Sequence, residues 1–111
     1  MIDVEVLTIP GCPNAAATLR EVRAILTEGR VRAKVSHTIV RDMQTVARLR
    51  FPGSPTVRVN GRDVEPSTTH VALSCRMYYD DAGRRGTPPT STIRAALTAA
   101  REATRCEKRG H

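Results

Sequence analysis

Leu7-Thr8-Ile9-Pro10-Gly11-Cys12-Pro13 is the stretch on which the fold turns. The run leading into it, Ile2-Asp3-Val4-Glu5-Val6-Leu7, has the period-two alternation of a strand that becomes apolar as it enters a core. Pro10-Gly11 breaks that strand. Pro13 suits the first position of a helix, where a missing N–H goes unnoticed and its fixed φ is already helical. The helix expected from Pro13 to Glu28 carries Ala15, Leu19, Val22, Ile25 and Leu26 on one face, with Gly29 as its stop. Cys12 is thereby set at a helix N-terminus. Unpaired backbone N–H groups and the positive end of the helix dipole favour a thiolate there, and the thiolate is the nucleophilic form. A reactive thiol is the first functional expectation.

Outward from this stretch, Val31 to Val40 is a second β-rich run, with Val31, Ala33, Val35, His37 and Ile39 on one face. Arg41-Asp42 begins a short helix through Met43, Val46, Ala47 and Leu49. In Phe51-Pro52-Gly53-Ser54-Pro55-Thr56-Val57-Arg58-Val59-Asn60-Gly61, two valines alternate with polar residues before Asn60-Gly61, a pair that accepts the two positive φ angles of a type I′ turn. Pro55 thus opens a hairpin over Thr56–Val64. Ile93, Ala96, Leu97, Ala100 and Ala103 mark a closing helix, preceded by Pro88-Pro89 and capped by Thr90 or Ser91. Residues 106–111 have no apolar face and are expected to fray.

Strand–Gly-Cys-Pro–helix followed by Gly-Ser-Pro-Thr–strand–Asn-Gly–strand resembles the thioredoxin-like superfamily, in particular its small bacterial monothiol, glutaredoxin-like members. The resemblance covers about Asp3 to Glu65 and again Pro89 to Arg105. It implies an α/β fold: a single thioredoxin-like domain over residues 1–111, with a four-stranded mixed sheet flanked by helices. The first two strands would be parallel and the third antiparallel to the first. Ser54–Pro55 would be a cis peptide facing Cys12. The 24 residues from Glu65 to Pro88 would then be an insertion before the last helix, beginning on the Cys12 side of the sheet. Loops of that length are functional or disordered. This one contains Leu73-Ser74-Cys75-Arg76-Met77-Tyr78-Tyr79, too apolar to float free, and then the turn-rich Asp80-Asp81-Ala82-Gly83-Arg84-Arg85-Gly86.

A chain of 111 residues suits one core. It has no basic segment followed by an apolar run and no stretch near the ~18 apolar residues of a membrane span, so no leader or anchor is expected, and a cytoplasmic location is the default. Three cysteines, 63 and 31 residues apart, suit neither a disulfide framework nor a zinc ribbon. The net charge of +7 comes from 16 arginines against two lysines, spread over every expected element, and only three residues are aromatic. Without clustering or stacking platforms, a nucleic-acid partner is not expected, nor a membrane. An anionic small molecule or acidic protein would still be drawn to such a surface. Nothing in the pattern sets the oligomeric state.

Dithiol members of the superfamily carry a second cysteine three positions after the first, where this chain has Ala15. What the resemblance implies is therefore a monothiol pattern. Cys12 would be the nucleophile, beside Pro13 at the first helical position. Asn14 would offer a backbone N–H and a side-chain dipole, and Ser54, before cis Pro55, main-chain groups to an extended thiol substrate. Cys75 is either a resolving thiol or a small buried hydrophobe among Leu73, Met77 and Tyr79. Cys106, among Arg105, Glu107 and Lys108, is expected to be exposed and incidental. His37 reads as a satisfied core histidine. His70 lies five residues before Cys75 and could join Cys12 and Cys75 around a soft metal. Zinc would want four ligands; a two-coordinate ion such as mercury or copper(I) needs only two thiolates. Asp42, Asp63, Glu65, Asp80 and Asp81 read as helix-start and turn residues, and Gly83–Gly86 as a mobile turn. No phosphate loop, nucleotide fingerprint or Ser-His-Asp spacing is present, so no cofactor and no resident metal are assigned.

The resulting expectation is thiol–disulfide exchange at Cys12, possible resolution by Cys75, and a thiol or disulfide of a small molecule or protein as partner. The alternatives are soft-metal binding through Cys12 and Cys75, or a catalytically inactive domain that binds a protein.

Overall fold

The strands and helices follow the hydrophobic periods closely. The structure, a computed structural model, describes residues 1–66 and 71–109, with side chains to residue 104. Its elements are β1 (Ile2–Thr8), α1 (Ala15–Glu28), β2 (Ala33–Ile39), α2 (Met43–Leu49), β3 (Thr56–Val59), β4 (Arg62–Asp63), β5 (Tyr78–Asp80), β6 (Gly83–Arg85) and α3 (Thr90–Arg109). Four strands form a mixed sheet in the order β2-β1-β3-β4, and β5-β6 make a separate ribbon. β1 and β2 are parallel, while β1–β3 and β3–β4 are antiparallel. Leu7 lies opposite Thr56, so the C-terminal end of β1 adjoins the start of β3.

Alternation along β1 divides the core. Ile2, Val4 and Val6, joined across the register by Val57 and Val59, pack against Val22, Ile25 and Leu26 of α1 and Ile93 and Leu97 of α3. Leu7 faces the other way, onto Val40, Val46 and Phe51 beneath α2. The sheet is thus sandwiched between α1/α3 and the short α2. At the hairpin tip Asn60 (φ 51°) and Gly61 (φ 82°) both take positive φ, as a type I′ turn requires. The Asn60 side chain accepts the Asp3 N–H at 2.9 Å and its own N–H donates to Asp3 O at 2.7 Å, tying the tip to β1.

Several boundaries differ from the sequence reading. α1 begins at Ala15, not Pro13, because Pro13 and Asn14 are used in a turn. It ends in a pair of bonds, Arg30 N–H to Thr27 O and Val31 N–H to Leu26 O, in which Arg30 (φ 50°) and not Gly29 (φ −84°) takes the left-handed position. α3 begins at Thr90, and the Pro89 carbonyl accepts from Thr92 and Ile93, so neither Thr90 nor Ser91 is the cap. α3 also continues through residues 106–109, where fraying was expected; residues 110 and 111 lie outside the described residues. β2 is an edge strand, so His37 is exposed instead of core, its Nε2 2.7 Å from the buried Thr8 hydroxyl.

Candidate functional site

Two consecutive turns carry the chain from β1 into α1 and set Cys12 at their junction. In the first, Cys12 N–H donates to Ile9 O (3.2 Å) around Pro10-Gly11, and Gly11 has φ 72°, the left-handed angle a type II turn demands at its third residue. In the second, Ala15 N–H donates to Cys12 O (3.3 Å) around Pro13-Asn14. Asn14 has φ −102° and ψ 1°, and the proline ring supplies the preceding angle of a type I turn. Asn14 is the helix N-cap: its carbonyl accepts both the N–H (3.0 Å) and hydroxyl (2.7 Å) of the buried Thr18, and its side chain makes no cap bond. The half-buried Cys12 therefore stands two residues ahead of the cap. It is two residues further from the helix than a helical Pro13 would have left it.

Opposite this loop lies Phe51–Thr56. The Ser54–Pro55 peptide is cis, as the sequence reading expected. Ser54 is fully buried, and its hydroxyl accepts the Ile9 N–H at 3.0 Å. Continuing the β1–β3 register would put Ile9 opposite Ser54, so this hydroxyl stands in for the next bond of the ladder. The Thr56 hydroxyl donates back to Gly53 O at 2.6 Å, bracing the corner.

The segment after β4 completes the site. Cys75 bridges Ser54 in parallel sense: Ser54 N–H donates to Ser74 O and Arg76 N–H to Ser54 O, both at 2.8 Å. One residue run, Cys12–Ile9–Ser54–Cys75, is thus linked by hydrogen bonds of the backbone and one hydroxyl, and both cysteines lie at the same end of the sheet as free thiols. Gly53, at φ 132°, is required here. A Cβ on it would stand 2.9 Å from the Arg76 Cβ and 3.2 Å from Ser74 O. At the other end of the segment Gly86 lies on Asn14, and a Cβ there would fall on the Asn14 side-chain amide. The segment therefore touches both halves of the site.

What holds it there was not foreseen. Arg76 is 7 % exposed and donates to Asp63 (2.7 Å), to the Glu65 carbonyl (2.5 Å) and to the Thr56 hydroxyl (3.2 Å). Tyr78, two residues on, is buried with its hydroxyl donating to the Pro55 carbonyl, and the Arg76 guanidinium lies 4.6 Å from its ring centroid. Burial pushes the Tyr78 phenol well above its ordinary value, against the opposing pull of Arg76. Leu73, Met77 and Tyr79, taken as the candidate buried neighbours of Cys75, are instead the exposed set, and so is Cys75 itself. Asp63 does accept the Glu65 N–H two residues on (2.9 Å), as a turn residue would, and its other oxygen is also the ion-pair partner of Arg76, which the sequence reading did not anticipate. Asp42 does cap α2 by accepting the Thr45 N–H, which lowers its carboxyl pKa. Gly83–Arg85 forms β6 of an ordered ribbon, in which Arg85 pairs with Asp80 (3.2 Å) and reaches Glu21 on α1 (3.4 Å). A strict two-residue alternation, Arg76 and Tyr78 against Cys75, Met77 and Tyr79, was the available signal.

Among the described residues no three His, Cys, Asp or Glu side chains gather into a metal-binding group. His70 and the Cys106 side chain lie outside the described residues. A concavity of about 760 Å³ lies away from Cys12, between the β3–β4 hairpin and an alanine-lined face of α3. Among the described residues no helix is long and apolar enough to cross a membrane. Comparisons with protein-family models, curated proteins and solved structures gave no match.

Proposed function

We propose that this chain is a thioredoxin-like thiol–disulfide exchange protein working through Cys12 and resolved by Cys75. The observation that carries the reading is the Ser54–Cys75 bridge, with Ser54 bonded on its other side to the loop that bears Cys12. In the first step the Cys12 thiolate attacks one sulfur of a disulfide, forming a mixed disulfide and expelling the other sulfur as a thiolate. In the second the Cys75 thiolate attacks Cys12 Sγ, closing a Cys12–Cys75 disulfide and releasing the remaining thiolate. The substrate gains two electrons and the cysteine pair loses them; two equivalents of an external thiol return the pair to its reduced form. Cys75 supplies across the fold what Ala15 cannot supply across one helical turn.

Timed alkylation followed by peptide mapping tests this. Cys12 is expected to be modified first, and a mild disulfide oxidant to give a Cys12–Cys75 peptide that is lost in both Cys12→Ser and Cys75→Ser. Faster reaction at Cys106, or mixed disulfide at Cys12 with no Cys12–Cys75 peptide under any oxidant, overturns the two-cysteine scheme. Stoichiometric retention of mercury(II) by both thiols, without disulfide turnover, would assign the chain to soft-metal binding instead.

A further inference from the structure

A polypeptide that approaches a thiol at the end of a sheet is recognised most simply by strand addition, pairing its main chain with open N–H and C=O groups on an edge. β4 is two residues long and pairs with β3 only at Arg58 and Val59, with one further bond from Val64 N–H to Val57 O. It stops well short of Ser54, which would leave that part of the edge bare beside Cys12. The bare part is filled from within: both main-chain groups of Ser54 are bonded to Ser74 and Arg76. The covering strand is also latched. Arg76 enters the interior on Asp63, Thr56 and Glu65, Tyr78 closes on Pro55, and Gly53 has no side chain so that the strand can lie this close.

Resting on the proposed exchange activity, we infer that the site takes small disulfides that need no main-chain pairing, and that Ser74–Arg76 occupies the position an extended peptide would need, with Arg76–Asp63 as its latch. Admission of a peptide disulfide requires this strand to leave, giving up two backbone bonds and uncovering a buried ion pair, and removing one partner of such a pair is strongly unfavourable. A non-peptidic disulfide has no such requirement. Ser54, which the sequence reading assigned to binding an extended substrate, is on this view reserved for the chain's own strand.

The test compares mixed-disulfide formation at Cys12 from 2-hydroxyethyl disulfide with that from an extended peptide carrying an activated disulfide of matched thiol leaving group. The full chain is compared with Asp63→Asn and Arg76→Ala, and amide hydrogen exchange is followed at Ser54 and Arg76. The wild-type chain is expected to react with the small disulfide and at least tenfold more slowly with the peptide, and Asp63→Asn to narrow that ratio about tenfold while Ser54 and Arg76 amides exchange faster. Should Arg76→Ala fail to fold, Asp63→Asn decides alone. Equal rates for the two disulfides in the wild type overturn the inference and leave the exchange activity standing. An unchanged ratio in a variant whose Ser54 and Arg76 amides have lost protection overturns it as well. Reaction of Cys12 with neither disulfide removes the exchange activity and the inference together.

Discussion

Tyr78 shows how much a single residue carries here. It is 1 % exposed, bonds the Pro55 carbonyl and receives the Arg76 guanidinium on its ring. Because burial raises its phenol above the usual value, the native state keeps this proton at pH values where the unfolded chain, titrating near 10, has lost it. Below about pH 10 the contribution is whole; above it the unfolded state binds fewer protons, so stability falls as pH rises. Urea unfolding at about pH 9 and about pH 11 is expected to show a loss in the wild type that is much smaller in Tyr78→Phe. At neutral pH Tyr78→Phe should cost roughly 1–3 kcal/mol, the penalty of an unpaired buried carbonyl. Tyr79→Phe, at a position 69 % exposed, should change stability at neutral pH by no more than about 0.5 kcal/mol. The alternation of Arg76 and Tyr78 was visible in the sequence but its phase was not. Hydropathy ranks Leu73 and Met77 above an arginine, and partners distant in sequence, Asp63 thirteen residues earlier among them, make the arginine the buried member.

At the scale of the element, the helix ends depart most from expectation. α1 closes on a left-handed Arg30, and Arg50 (φ 50°) takes the same conformation after α2. A side chain in that region is disfavoured relative to glycine. Arg30→Gly is therefore expected to raise stability by about 0.5–1 kcal/mol in denaturant titrations. Gly29→Ala, at an ordinary helical φ, should fall short of the gain of about 0.5–1 kcal/mol usual for such a change, since the added Cβ would stand 3.2 Å from the Val31 side chain and 3.3 Å from the Ile25 carbonyl and these neighbours would have to give way. The position of the glycine in sequence marked where the helix stops. It did not reveal that the next residue, Arg30, takes the left-handed position.

For the whole molecule, the sheet with α1 and α3 on one face makes the larger core, and Leu97, 3 % exposed, ties α3 to it. Leu97→Ala should cost about 2–5 kcal/mol, a large part of the 5–15 kcal/mol typical of a domain. Chemical denaturation should show a lower midpoint with an unchanged slope, and a changed slope would mean that α3 no longer unfolds with the sheet.

Local chemistry by itself determined β1, α1, α2, the β3–β4 hairpin and α3 to within a few residues, because period-two and period-3.6 patterns and turn residues such as Pro10-Gly11 and Asn60-Gly61 act over a few neighbouring positions. Those same patterns put Cys12 between a strand and a helix. Only the tertiary structure decided that β2 is an edge strand, which exposes His37, and that the segment after β4 returns to Ser54 with Cys75 opposite it. A strand's alternation states which side chains share a face but not which strand lies beside it. Likewise the burial of Arg76 depends on Asp63, Thr56 and Glu65 meeting it in space, a condition that no local pattern around Arg76 contains.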